Sequence, residues 1–213
     1  MKKITLIIAV MFGALSVNAQ YMNHSVNAVK SETVNSQKYY ELQDGMRELW
    51  SAHMYWTLIT VDAFFNDPKG IDAKLTRLLQ NQKDIGDAIA PFYGQQAGDM
   101  LTKLLTEHIM GAVPVLQAAQ VNNTKALEVA IKGWYANATE IGDFLASANT
   151  NWPAADTRGA LEMHITHTID YSVSILKGDY SASFGGFEEA LNHMLVLADI
   201  LTDGIVKQFP DKF

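Results

Sequence analysis

The sequence contains no cysteine among its 213 residues. This absence excludes disulfide-stabilised scaffolds, thiolate nucleophiles, iron–sulfur clusters and zinc sites built on cysteine. It also excludes covalent c-type haem attachment and a lipid anchor carried by a cysteine. Any metal site or catalytic group in this chain must therefore be built without a thiolate.

The sequence also has no excess of basic residues. Lys and Arg number 16 against 23 Asp and Glu, which gives a net charge of −7. Nucleic acids and anionic membranes both attract positively charged surfaces, so we expect neither as a partner. A hydrophobic content of 48% with only five prolines is typical of an ordinary folded domain.

Several catalytic motifs are missing. The sequence has no phosphate-binding Gly-Lys-Ser/Thr loop, no dinucleotide-binding glycine pattern, no Gly-x-Ser-x-Gly elbow and no His-Glu-x-x-His pair. It also lacks the paired Glu-x-x-His segments of ferritin-like bundles and the histidine spacing of hemerythrins. These bundles are therefore similar to the chain in architecture only, and whether the protein is an enzyme is left open.

The N-terminus has the pattern of a secretory signal peptide. Two lysines precede an apolar run that ends at Leu15, and small or polar residues follow up to Ala19. The run is about a dozen residues long, whereas a membrane span needs roughly 20. We expect cleavage after Ala19, a mature protein in the periplasm or outside the cell, and no integral membrane anchor.

The rest of the chain predicts a polar leader and one helical domain. Residues 20–36 are rich in Asn, Ser and Val and lack an apolar stripe, which predicts a flexible leader. From 37 to 213 the apolar residues recur with helical spacing, and no stretch alternates with period two. Turn residues divide this domain into helices at 37–66, 70–90, 95–121, 124–147, 155–177 and 183–208. Because the connections are short, the sequence predicts an all-α, antiparallel bundle of about six helices.

Short polar side chains next to these segments are candidate helix caps, because their oxygen accepts a hydrogen bond from the first helical turn. The predicted caps are Asp72, Asn123 or Thr124, Asp156 and Ser183. The pair Gly185-Gly186 indicates a turn.

Four of the predicted helices carry a histidine in or beside their apolar row. Steps of three and four residues place His53, His108 and His164 inside the apolar rows of the first, third and fifth helices. His193 lies at the flank of the row in the sixth helix. His167, in contrast, lies on a mostly polar row and is expected at the surface. Buried imidazoles need hydrogen-bond partners or a metal, and several of them are most simply satisfied together.

Two carboxylates are candidate additional ligands. Glu189 lies one turn before His193 and shares its helix face, although a solvated glutamate near a helix start is the slightly favoured interpretation. Asp84 follows Arg77 and Asn81 in a polar column of the second helix. Asp84 is therefore a metal ligand, an acceptor for an imidazole N–H, or the ion-pair partner of Arg77.

Other polar residues are candidates for orienting the ligands. Asn137 flanks the apolar row of the fourth helix, where it either orients an imidazole or bonds locally. Asn81 and Arg77 are the corresponding candidates on the second helix. The four tryptophans are expected to pack in the core.

Several segments resemble a family of small exported bacterial all-helical proteins with no established activity. The resemblance rests on Trp50-Ser51-Ala52-His53 with Trp56-Thr57, Arg77 to Gly86, Trp134 to Ala138, His193-Met194-Leu195 and Gly204 to Pro210. It covers nearly all of the chain after residue 19 and implies an all-helical fold. The polar positions that recur in the family correspond to His53, Asn81, Asp84, His108, Asn137, His164 and His193.

Two hypotheses of different classes follow, with a third beside them. The first is an exported bundle that binds zinc, copper or iron in its core through His53, His108, His164 and His193, with Asp84 or Glu189 adding oxygen. An open coordination position would allow metal-dependent redox or hydrolytic activity. The second is a non-catalytic exported protein that binds a protein partner or stabilises the envelope, its histidines joined by hydrogen bonds. The third is non-covalent haem held by two of the histidines.

Overall fold

The computed structural model describes residues 36–213, and these fold into α-helices with no strand. The helices are Ser36–Asn66 (α1), Ile71–Tyr93 (α2), Gln95–Gln120 (α3), Thr124–Ala148 (α4), Ala154–Lys177 (α5) and Tyr180–Gln208 (α6), followed by a short 3-10 helix, Pro210–Lys212. The predicted all-α bundle is confirmed, and predicted and observed helix ends differ by three residues at most. The predicted signal peptide at 1–19 and nearly all of the predicted leader at 20–36 lie outside the described residues.

The six helices pack as a closed ring with contacts across its middle. Each helix packs against the one before it, and α6 returns to pack against α1. The connections between them are one to five residues long, so sequence neighbours run antiparallel. Across the interior, α5 contacts both α1 and α3. These inner contacts bring the middle of α1, α3 and α5 together, which positions the site described below.

Side-chain oxygens cap two of the helices. Asn123 Oδ1 accepts a hydrogen bond from the Ala126 N–H at 3.1 Å, as predicted. Asp179 Oδ1 does the same for the Ala182 N–H at the start of α6. The predictions for two other caps are wrong, because α2 begins after Gly70 and α5 after Pro153. Asp72 and Asp156 lie in the first turns instead, where a carboxylate complements the helix dipole.

The start of α6 also differs from the prediction. Asp179 caps the helix four residues before Ser183, and Ser183 is buried within it. Gly185-Gly186 therefore lies inside a continuous helix and does not form a turn. Each internal glycine costs about 1 kcal/mol relative to alanine, a cost that the capped first turn and the burial of Phe187 offset.

The core is built from aromatic and aliphatic side chains of all six helices. Trp50, Trp134 and Trp152 are buried, as predicted. Trp56 is half-buried, with the Arg77 guanidinium 5.5 Å from its ring centroid. Among residues 36–213, no helix is both long enough and apolar enough to cross a membrane.

Two glycines let α2 and α3 approach each other backbone to backbone. A Cβ atom at Gly98 would lie 2.6 Å from the carbonyl oxygen of Gly86, and a Cβ at Gly86 would lie 2.5 Å from the carbonyl oxygen of Gly98. Because backbone oxygens cannot rotate away as side chains do, either added methyl group would push the two helices apart.

We expect Gly98→Ala to destabilise the protein by about 1–3 kcal/mol, because it overpacks this crossing. Gly133→Ala is the matched control, since Gly133 is exposed in α4 and a Cβ there meets nothing within 4 Å. We expect the free energy of unfolding of the control to rise by about 0.5–1 kcal/mol, because alanine has a higher helix propensity than glycine. Urea unfolding followed by circular dichroism measures both, and equal shifts of the two variants would contradict the close crossing.

Candidate functional site

Three histidines meet in the interior and line one cavity of about 50 Å³. His53 comes from α1, His108 from α3 and His164 from α5, and all three are at most 3% exposed. Their inward orientation is the one that the apolar rows of these helices predict. The cavity is the place where α1 and α3 approach α5.

His164 lies between the other two imidazoles. Its Nε2 atom is 3.4 Å from Nε2 of His53. Its ring stacks on that of His108, with centroids 5.6 Å apart and an interplanar angle of 29°. The three rings therefore form one contiguous group, called the histidine trio below.

Asn137 fixes the orientation and the protonation of His108. Its Nδ2 donates to the carbonyl oxygen of Leu104 at 3.1 Å, so its Oδ1 must point away from that carbonyl. Oδ1 lies 2.9 Å from Nδ1 of His108 and accepts a hydrogen bond from it. The proton of neutral His108 is therefore on Nδ1, and its Nε2 is a free lone pair. This Nε2 is buried and has no hydrogen-bond partner.

Gln82 fixes the protonation of His53 in a similar way. Its Nε2 donates to the carbonyl oxygen of Leu78 at 2.8 Å, which fixes the amide, and it also lies 3.3 Å from Nδ1 of His53. Nδ1 of His53 is then the acceptor, and the proton of this ring is on Nε2, facing His164. Gln82 is fully buried, and the sequence interpretation missed it. A glutamine inside the apolar row of α2 was the available signal.

The proton positions leave two ring nitrogens of the histidine trio unsatisfied. His53 Nε2–H donates to Nε2 of His164, so His164 carries its proton on Nδ1. Nδ1 of His164 and Nε2 of His108 are both buried without a partner. Unsatisfied buried polar atoms are costly, so a group that paired with these nitrogens would stabilise the site; Trp50 Nε1 and Ser183 Oγ are unpartnered elsewhere in the core.

Burial keeps all three imidazoles neutral. Desolvation, together with the neighbouring His108, lowers the pKa of His53 to about 3. Desolvation lowers the pKa of His108 to about 4, against a small opposing effect of Asn137. The pKa of His164 is also well below its usual value, because of burial and then the two neighbouring imidazoles. At neutral pH the trio is uncharged, the form in which imidazole binds metals.

The rest of the cavity wall is mainly apolar. Three threonines, Thr57, Thr60 and Thr168, add hydroxyl groups, and no Asp or Glu lines the cavity. In the described part of the chain, no group of three or more histidine and carboxylate side chains is already arranged around a common point as metal ligands are. The histidine trio is thus close-packed, and its rings would have to rotate to direct their nitrogens at one ion.

His193 belongs to a different pair, contrary to the predicted set of four ligands. It is half-buried, its Nε2–H donates to the carbonyl oxygen of Ala160 at 2.7 Å, and it does not line the cavity. Its ring stacks on His167, with centroids 5.6 Å apart. His167 is also half-buried, so the prediction of an exposed residue is wrong. Both rings pack between α5 and α6, which the apolar row of α5 alone does not indicate.

The predicted carboxylates are not part of the cavity either. Asp84 accepts a hydrogen bond from Gln80 Nε2 at 2.8 Å and pairs with Arg77 at 3.6 Å, which is the ion-pair alternative. Glu189 is exposed. Asn81 is fully buried, but its Nδ2 donates to the carbonyl oxygen of Leu49, so it holds α2 to α1 and contacts no imidazole.

The pKa shifts predict how stability depends on pH. An unfolded histidine has a pKa near 6.5, so below this pH the unfolded chain binds protons that the folded trio does not. Stability is then complete above pH 6.5 and falls as the pH is lowered toward about 4. For His108 alone we expect a loss of about 2 kcal/mol between pH 7 and pH 5.

Urea unfolding of the chelator-treated protein at the two pH values tests this expectation. The loss of stability should be about 2 kcal/mol smaller for His108→Gln than for the wild type, because the variant lacks one titrating group. The carboxylates contribute equally to both proteins and cancel in the difference. Equal losses would mean that His108 is protonated in the folded state.

The comparisons with known proteins assign no function to this arrangement. No family model, no curated protein and no solved structure matches the chain. The resemblance to exported bacterial helical proteins therefore stays a prediction, and the site is interpreted from its own geometry.

Proposed function

We propose that the protein binds one transition-metal ion in its core, through Nε2 of His53, His108 and His164. The observation that carries this proposal is the Nε2 lone pair of His108, which is buried, oriented by Asn137 and without a partner in the cavity of the histidine trio. A metal ion is the simplest group that would satisfy this lone pair and at the same time bind the two neighbouring imidazoles.

The distance within the trio supports a metal site. The hydrogen bond between Nε2 of His53 and Nε2 of His164 is long, at 3.4 Å. Two nitrogens bound tetrahedrally to zinc, at bonds of about 2.0–2.1 Å, are about 3.3–3.4 Å apart. These two imidazoles are therefore already spaced as ligands of one ion would be.

Protonation favours binding as well. Metal ions bind neutral imidazole, and the lowered pKa values of the trio mean that protons do not compete at neutral pH. The Asn137 amide accepting from Nδ1 of His108 is the arrangement that commonly orients a ligating histidine.

One proton must move for all three rings to bind. His53 carries its proton on Nε2, so ligation requires the proton to move to Nδ1. Gln82 has a suitable acceptor, because its Oε1 is buried and has no partner. Turning the Gln82 amide over would place Oε1 against Nδ1 of His53 at the expense of the bond to Leu78. Metal binding is thus coupled to the orientation of Gln82.

The ligand set favours certain metals and leaves one coordination position open. Three imidazoles without thiolate or carboxylate suit zinc, copper or iron better than magnesium or calcium. Three protein ligands plus one open position is the coordination of catalytic zinc sites, whereas structural sites have four protein ligands. The enzymatic form of the proposal is therefore metal-dependent hydrolytic or redox chemistry.

Two other hypotheses are weaker on this geometry. The contact of His53 with His164 also fits a non-catalytic bundle held by hydrogen bonds, but that alternative leaves the lone pair of His108 Nε2 unsatisfied. The N–H at Nδ1 of His164 lacks a partner under either hypothesis. Haem would need a flat slot between two imidazoles, and a cavity of about 50 Å³ with rings in contact offers none. Export through the predicted signal peptide would place the metal site in the periplasm or outside the cell.

Metal analysis of the untagged protein and calorimetric titration with zinc and copper(II) test the proposal. We expect one ion per chain, and a melting temperature that rises with metal and falls again with a chelator, because the ion binds only the folded state. His108→Ala and His164→Ala should each weaken binding on the order of 100-fold or more.

His193→Ala and His167→Ala are the matched controls, since both remove an imidazole that does not line the cavity. They should bind metal as the wild type does. Circular dichroism of the metal-free variants checks that each one is folded. Folded wild-type protein that takes up no zinc, copper, cobalt or iron would overturn the proposal, and equal losses at all four positions would place the site elsewhere.

A further inference from the structure

The histidine trio is too deeply buried to take an ion directly from solution. Its three imidazoles are at most 3% exposed, so an ion must pass between other side chains to reach them. The half-buried side chains of the cavity wall include the apolar Phe64, Ile71, Leu75 and Val113. An apolar passage offers no ligand to an ion that loses its hydration shell, and such an ion is costly there.

His167 and His193 lie beside the turn of α5 that carries His164. The Nε2–H of His193 donates to the carbonyl oxygen of Ala160, one turn before His164. The ring of His193 also stacks on His167, which lies about one turn after His164. The pair therefore spans this turn on the side of α5 that faces α6. Both rings are half-buried, so they are reached from the surface.

Electrostatic interactions also place the pair near His164. Desolvation and the other two imidazoles of the trio lower the pKa of His164, and His193 and His167 lower it further. The pair has no such effect on the pKa of His53 or His108. Because Coulomb interactions weaken with distance, His164 is the trio ring closest to the pair.

Two carboxylates add negative charge beside the pair. Glu189 precedes His193 by one turn of α6, and Asp170 follows His167 by about one turn of α5. Desolvation raises the pKa of Asp170, His167 lowers it and Glu189 raises it, so these groups lie close enough to interact. The negative charge raises the local concentration of cations.

The pair can bind an ion without enclosing it. Because Nε2 of His193 donates, the lone pair of the neutral ring is on Nδ1. No hydrogen bond within residues 36–213 holds His167, so its ring can turn toward an ion on this nitrogen. No third ligand is arranged with the two imidazoles in the described part of the chain. Water would fill the other coordination positions, and an ion held so weakly can move on to a stronger site.

We propose that His167 and His193 form a second, weak metal site at the surface between α5 and α6, from which the ion passes to the histidine trio through His164. The inference rests on the proposed metal site in the core. It gives the pair a role in the rate of metal uptake and none in the final affinity.

Stopped-flow mixing of the metal-free full chain with cobalt(II) tests this inference, because the visible absorption of cobalt(II) rises when it enters a low-coordinate nitrogen site. His167→Phe keeps a ring that stacks on His193 but has no ligating nitrogen. His193→Gln keeps a side-chain N–H donor for the carbonyl of Ala160. Each variant should load about tenfold more slowly than the wild type. The equilibrium affinity should not change, so release of cobalt should be slower by the same factor.

Leu75→Ala is the control for entry through the apolar wall, since it widens that wall and leaves the pair intact. Its loading rate should equal that of the wild type. Circular dichroism of the metal-free variants checks that each one is folded.

The surface site should also be detectable without the trio. His164→Ala removes the central ring of the trio, and this variant should still bind copper(II) weakly, with nitrogen hyperfine splitting in its electron paramagnetic resonance spectrum. Adding His193→Gln to it should remove that signal.

The possible failures can be distinguished. Wild-type protein that takes up no cobalt, zinc or copper overturns the core site and this inference together. Equal loading rates of the wild type and His167→Phe overturn the inference while the core site stands, and so does a copper signal that His193→Gln leaves unchanged. Faster loading of Leu75→Ala would place the route at the apolar wall. Weaker equilibrium binding by His167→Phe would make the pair part of the core site, which also contradicts the inference.

Discussion

The desolvation of three imidazoles at one place is the constraint on which the rest of the site depends. His53, His108 and His164 lie where α5 meets α1 and α3, and burial holds the pKa values of His53 and His108 near 3 and 4. A buried imidazole can stay neutral without difficulty, but each of its nitrogens still needs a partner. Six ring nitrogens in one apolar space are more than the surrounding side chains satisfy. The cavity therefore contains unpartnered polar nitrogens, while most of its wall is apolar. This combination favours a bound polar group or ion.

The side-chain amides of Asn137 and Gln82 determine which nitrogens of His108 and His53 carry a proton, and backbone carbonyls fix the orientation of both amides. Asn137 and Gln82 each donate to a helix carbonyl, and because a carbonyl only accepts, each amide has one favourable orientation. Asn137 thereby presents its oxygen to His108, whereas Gln82 presents its nitrogen to His53. The two histidines are consequently in opposite tautomers, one with a free Nε2 and the other with a protonated Nε2. The rigid helices, and not the histidines themselves, decide which nitrogens are available.

The fold and the central residues were predictable because they depend on periodicity. His53, His108 and His164 lie in apolar rows at helical spacing, so they face inward whatever the detailed packing is. The turn residues predict the helix ends to within three residues. Contacts between side chains of different helices were harder to predict, since they depend on how each helix is rotated about its axis and on the angle at which the two helices cross. The stacking of His193 on His167 and the contact of Gln82 with His53 both require positions of two helices that a single row does not contain. The early start of α6 was missed for a local reason, because the Asp179 cap and the burial of Phe187 together offset the cost of Gly185 and Gly186.

The charge of the ion also distinguishes between metals that suit three imidazole ligands equally well. With three neutral ligands and no carboxylate in the cavity wall, a divalent ion would bury two charges and a monovalent ion only one. Copper in its monovalent state accepts a low coordination number and imidazole ligands, so it would be the least costly occupant under reducing conditions. A divalent ion becomes comparable only when it binds together with an anion, which lowers the buried charge to one. The absence of carboxylates among the wall residues therefore makes the charge of the ion the property that separates these candidates.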